Sequence, residues 1–150
     1  FALLRPNTAG LPKVVLHQEA VGTQRTEAVL YIPKGRHSAS SLHLPRGAEQ
    51  VREIICQVKP LDDILDKIGR PVDLVKFDIE GVEYEVFAAS RLVHQVRWII
   101  GELKARPPEI ERFLAIFPHH DAQVHCQTSK MAYVYLKRKE QWRTHSPCEG

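Results

Sequence analysis

Asp78, Glu80 and Gly81 close the run Val72-Asp73-Leu74-Val75-Lys76-Phe77-Asp78-Ile79-Glu80-Gly81 and are the residues of this chain best suited to chemistry. In an extended strand the two carboxylates point to the same side, roughly 7 Å apart from the rise per residue. Gly81 permits a positive φ or a close approach of ligand to backbone. Glu83 and Glu85 then fall in the first turn of a helix, where the dipole favours them. Open α/β sheets bind ligands in this position, at the carboxyl ends of their strands.

A strand must hold these groups. Val72, Leu74, Val75, Phe77 and Ile79 form a nearly continuous apolar run, which predicts a strand covered by helices on both faces. Lys76 inside it would be costly unpaired, so an ion pair with Asp73, Asp78 or the helix acids is expected. Before the strand, Pro60 opens a helix carrying Leu61, Ile64, Leu65 and Ile68 at helical spacing, and Gly69 ends it. After it come a helix from Val82 to Leu92, a strand from Val96 to Leu103, and a helix begun by Pro107-Pro108 with Ile110, Phe113, Leu114 and Phe117 on one face. Asp121 to Thr128 and Met131 to Arg138 read as a strand pair turning at Ser129-Lys130. Upstream, Phe1 to Leu4 reads as a helix tail stopped by the turn formers Pro6 to Gly10, and Val14 to His17 as a short strand. Ala28 to Ile32 and Glu49 to Val58 predict a β-hairpin arm at the rim of the site, with Ser38 to Ser41 in an exposed loop. Residues 141–150 lack periodicity and read as a frayed tail.

The segment LDDILDKIGRPVDLVKFDIEGVEYEVF, Leu61 to Phe87, resembles the signature of the FkbM family of S-adenosylmethionine-dependent methyltransferases. Val14-Val15-Leu16 leading to Glu19-Ala20-Val21-Gly22 resembles that family's third strand and the loop beside the adenine. Trp98 to Glu102 resembles its fifth strand. The resemblance implies an α/β fold: a Rossmann-like class I methyltransferase sheet, mostly parallel, with an antiparallel C-terminal strand pair. It implies S-adenosylmethionine as cofactor, bound by Glu19, Ala20, Val21, Asp78 and Gly81. Asp78 or Glu80 would be the base, and Glu102 and Ser41 would contact a small-molecule, sugar or lipid acceptor, most readily at a hydroxyl oxygen. Structural roles stand beside these: Asp78 capping the next helix and ordering Gly81, Glu102 capping a loop, Ser41 in a polar loop.

The family's opening strand, glycine-rich loop and second strand have no counterpart here, and no G-x-G occurs in the 150 residues. Residues 1–140 therefore read as the C-terminal two-thirds of such a domain, N-terminally truncated and impaired in cofactor binding. The absent first strand would lie beside the 72–79 strand. Its bare edge would need a missing segment, a second copy or other partner chain, or a rearranged N-terminus to cover it. A non-catalytic α/β interaction module working through that edge is the rival reading. The D-x-D-x-E pattern of chitinase-like barrels does not fit, since Lys76 stands where its first aspartate belongs and such barrels commonly need about 250 residues.

Composition sets the remaining bounds. With 43% hydrophobic and 26% charged residues, the chain reads as one soluble globular domain. A net charge of +3 with dispersed Lys and Arg gives no footprint for nucleic acid. Cys56, Cys126 and Cys148 suggest neither a disulfide framework nor a zinc site, which fits a reducing, cytoplasmic setting. No apolar stretch approaches the roughly 20 residues of a membrane span. His119, His120, Asp121, His125 and Cys126 are not expected to hold metal, because consecutive histidines in a strand face opposite ways.

Overall fold

The computed structural model describes residues 4–35, 42, 44, 50–79 and 81–139. Glu80, Ser41, the Ser38 to Ser40 loop residues and the 141–150 tail lie outside the described residues. The described chain is a mixed α/β structure with two sheets.

The first sheet contains β1 (Ala20–Gly22), β2 (Thr26–Pro33) and β3 (Val51–Pro60), in the order β1-β3-β2. β2 and β3 form the expected hairpin arm, with Leu30 opposite Ile54. β1 runs parallel to β3, and Gly22 lets them close up: a Cβ there would lie 2.5 Å from Val58 Cγ1. Upstream, the structure departs from the expected pattern. Helix α1 (Leu4–Thr8) runs through Pro6, which a first turn tolerates because its N–H would be unpaired anyway. Val14 to His17 is not a strand; Val14 and Val15 are exposed, and no strand among the described residues pairs with them.

Helix α2 (Leu61–Ile68) follows Pro60, carries Asp62 and Asp63 in its first turn, and ends at Gly69, whose φ of +67° is the left-handed conformation glycine adopts freely. The second sheet contains β4 (Leu74–Phe77), β5 (Trp98–Leu103), β6 (His120–Thr128) and β7 (Met131–Arg138), in the order β4-β5-β7-β6. β6 and β7 turn at Ser129-Lys130 as expected. Only β1–β3 and β4–β5 are parallel among the described pairings; β2–β3, β5–β7 and β6–β7 are antiparallel, so the parallel character is less than expected.

One face of the second sheet buries Phe77, Ile99, Leu103, Ala132, Val134 and Leu136 under α3 (Glu83–Ala89) and α4 (Pro107–Leu114). Phe77, Phe87, Phe113 and Phe117 stack through this core, Phe77 to Phe87 edge-on at 4.9 Å. The other face of β4 is open. Leu74 is 52% exposed and Lys76 is exposed, so β4 is not covered on both sides and Lys76 needs no buried partner. The apolar run misled because β4 is an edge strand, with β5 its only strand neighbour among the described residues.

Helix α3 is also shorter than the expected 82–92 helix. Ser90 is extended (φ −88°, ψ 128°), and the Asp62 carboxylate takes the N–H groups of Arg91 (3.0 Å) and Leu92 (3.1 Å) together with the Ser90 hydroxyl. These bonds redirect the chain into a short 3-10 turn at Leu92–Gln95.

Candidate active site

The Phe77 side chain, 4% exposed, fixes the end of β4, and the chain then leaves the sheet through Asp78 and Ile79. Phe77 pairs with Gly101 of β5 across the parallel ladder. A Cβ on Gly101 would meet the Phe77 ring at 2.6 Å, so the bare glycine is what lets this ring lie flat against β5. Gly81 takes φ +101°, the positive value foreseen for it. Val82 then precedes α3 with no side-chain cap.

The residue that orders this turn is Glu83, not Asp78. Glu83 is 3% exposed, and its Oε1 accepts the Gly81 N–H at 2.9 Å. Burial pushes its carboxyl above the usual range, and the neighbouring charges of Asp78 and Glu85 push the same way. Sequence reasoning saw Glu83 only as a first-turn acid. Its spacing from Gly81 could have suggested the reach back to that amide, but nothing in the spacing reveals burial. Asp78 itself is exposed.

Across from the turn stands the first sheet. Between them lies a cleft of about 610 Å³, walled by Glu19, Ala20 and Val21 on one side and by Asp78, Ile79 and Val82 on the other. Leu30, Ile32 and Ile54 of the hairpin arm give it an apolar floor, and Leu42 also reaches it. A largely apolar hollow with a few polar groups at its ends is the usual form of a small-molecule site. Four residues singled out from the sequence, Glu19, Ala20, Val21 and Asp78, are thus brought together. Gly81 faces a neighbouring cavity of about 270 Å³, shared with Glu83, Tyr84 and Arg112. Glu102 lies on β5 opposite Tyr133 and does not line the 610 Å³ cleft. Glu80 and Ser41 are outside the described residues.

Glu19 carries most of the polarity on its side. Lys59 Nζ donates to its Oε1 at 2.5 Å, and His17 Nδ1 lies 3.6 Å from its Oε2. The Lys59 hydrogen bond is the main reason its carboxyl sits below the usual range. Oε2 is buried and takes no hydrogen bond from the described residues. Neither Lys59 nor His17 was legible as part of the site, since only the parallel β1–β3 register brings Lys59 beside the Glu19 loop.

The two walls of this cleft belong to one recognisable domain. The model of the Methyltransferase FkbM domain matches residues 5–133. The chain belongs to the FkbM methyltransferase family. That match takes in the Glu19 loop, the hairpin arm and the Asp78 turn, so the cleft lies wholly inside the FkbM domain. Methyl transfer is accordingly the general chemistry of the fold described here. No curated protein and no solved structure matches the chain. Among the described residues no helix is long and apolar enough to cross a membrane, and no three His, Cys, Asp or Glu side chains gather where they could hold a metal ion.

Proposed function

We infer that this FkbM domain binds S-adenosylmethionine in the 610 Å³ cleft and methylates a hydroxyl oxygen of a small-molecule, sugar or lipid acceptor. The observation that carries this reading is the meeting of Glu19, Ala20 and Val21 with Asp78 across one hollow at the carboxyl end of β4. The residues present suit the cofactor: an apolar floor for a flat base, a carboxylate oxygen on Glu19 that takes no hydrogen bond from the described residues and could accept from its amino group, and an exposed acid at the far wall.

When bound, the sulfonium supplies an activated methyl group, so the chain has little covalent chemistry of its own to perform. Its task is alignment, and orientation of this kind supplies about 7–11 kcal/mol of a barrier. Ala20 and Val21 offer backbone groups along one wall. Asp78 accepts the acceptor's hydroxyl proton, with Glu80 two residues on as the other candidate base. Gly81, held by Glu83, keeps the turn close to the ligand. Glu102 and Ser41 are proposed for the acceptor.

Calorimetric titration of S-adenosylmethionine into the chain, and into a form extended upstream, tests the reading. Binding by either form supports it; binding by neither removes it. A second reading draws on the bare edge of β4, where Leu74 and Trp98 share an open sheet face with Tyr135. A non-catalytic module associating through that edge, with a second copy or another chain, would form a stable complex and ignore the cofactor. Sedimentation of the same samples separates the two.

A further inference from the structure

Building on the cofactor reading above, we propose that Lys59 is a positioning residue that sets which base the cleft selects. Glu19 lines both the 610 Å³ cleft and an adjoining charged cavity of about 510 Å³, and Lys59 reaches it from the charged side. The two carboxylate oxygens are thereby made unlike. Oε1 is committed to Lys59 Nζ, whereas Oε2 is buried without a hydrogen bond from the described residues. The pairing is built into the fold: Lys59 stands opposite Val21 in the parallel ladder, two residues beyond Glu19. His17, exposed and near Oε2, lines the same cavities and can yield to a ligand.

An ionised carboxylate only accepts hydrogen bonds. With Oε1 held by Lys59, the Oε2 of the ionised carboxylate takes an N–H donor and repels a carbonyl oxygen. An adenine presents an amino group at the edge where hypoxanthine presents a carbonyl, so the geometry selects the amino base. Without Lys59, Oε1 is no longer held and the carboxylate is free to turn, so neither oxygen is fixed against the edge of the base. A site built around a hydrogen bond discriminates strongly against the analogue that cannot make it.

The test is calorimetric: dissociation constants for S-adenosylhomocysteine and S-inosylhomocysteine with the wild-type chain, Lys59→Met, Lys59→Gln and Lys59→Arg. The wild type should favour the amino base by about 100-fold or more. Lys59→Met and Lys59→Gln should bring that ratio within about tenfold while circular dichroism and the urea midpoint hold, and Lys59→Arg should restore it, since a guanidinium can also hold Oε1. An unchanged ratio in both neutral variants overturns the role of Lys59. Equal binding of both nucleosides by the wild type overturns base selection while leaving the cofactor reading intact. Where the chain binds neither, the same titrations are made with the form extended upstream, and binding of neither nucleoside by both forms overturns the cofactor reading, and this inference with it.

Discussion

Glu83 Oε1 lies 2.9 Å from the backbone nitrogen of Gly81, and through this contact a buried acid holds the turn that presents Asp78. Burial raises the Glu83 carboxyl in the fold from its ordinary value of 4.5, so the folded state binds its proton more tightly than the unfolded chain does. The stabilising effect is complete below pH 4.5 and is lost as pH rises through the raised value. Glu83→Gln keeps an acceptor for Gly81 but has no charge to bury. Urea midpoints at pH 4.5 and 7.5 should therefore fall more for the wild type than for Glu83→Gln, and an identical fall in both would refute this account.

Asp62 should prove one of the more expensive polar side chains to remove. Burial pushes its carboxyl up, but the hydrogen bonds from Ser90, Arg91 and Leu92 together outweigh that and leave it below the usual range. Asp62→Ala strands the Leu92 N–H and the Ser90 hydroxyl, the latter in a residue only 4% exposed. The expected loss is about 1–3 kcal/mol by chemical denaturation. Hydrogen exchange at Leu92 should quicken alongside it.

How far the sequence reveals this architecture depends on the kind of information asked of it. Local chemistry is legible: Gly69 ends α2 with a positive φ, Gly81 takes the positive φ that is one of its two expected uses, Pro107 opens α4, and the β6–β7 turn falls at Ser129-Lys130. The Asp78 turn and the Glu19 loop, both singled out from the sequence, line one cleft. What stays hidden is whatever depends on neighbours. Leu74 and Val15 look like core residues in any apolar pattern, yet both are exposed among the described residues. Lys59 looks like an ordinary strand lysine until the β1–β3 register sets it against Glu19. Asp62 looks like a helix-start acid until it ends α3 nearly 30 residues later in the chain.

His120 predicts a pH dependence of opposite sign to that of Glu83. The residue is 6% exposed; its ring packs on Phe117 at 5.4 Å and donates from Nε2 to the Val96 carbonyl at 3.0 Å, leaving Nδ1 buried with no hydrogen-bond partner among the described residues. Burial lowers its value from the ordinary 6.5, so the unfolded chain takes up the proton first. Stability is full above pH 6.5 and declines as pH falls toward the lowered value. His120→Leu should lose about 1 kcal/mol at pH 7.5 from the missing hydrogen bond but show a shallower decline to pH 5. Parallel denaturation curves for the two proteins at both pH values would count against it.

Gly101 links the core to the site. Its Cβ in a Gly101→Ala variant would come within 2.3 Å of the Phe77 carbonyl oxygen and 2.6 Å of the ring, and neither is a flexible chain end. Overpacking of this kind costs about 1–3 kcal/mol. Because Phe77 immediately precedes Asp78, the displaced β4 end should also weaken cofactor binding. Calorimetry and denaturation on the same variant should move together, and loss of stability with unchanged binding would uncouple β4 from the cleft.

Asp78→Ala removes the exposed acid at the end of β4 without touching the core. If its carboxylate takes the acceptor proton, kcat for methyl transfer should drop by about 10²–10⁴, the usual range for a positioned base. Asp78→Asn should fall as far, because an amide keeps the shape and polarity but cannot take the proton. The fold should hold in both, since Glu83 and not Asp78 secures Gly81. Full turnover in Asp78→Asn would pass the proton-accepting role to Glu80, and Glu80→Gln would then be the variant that loses it.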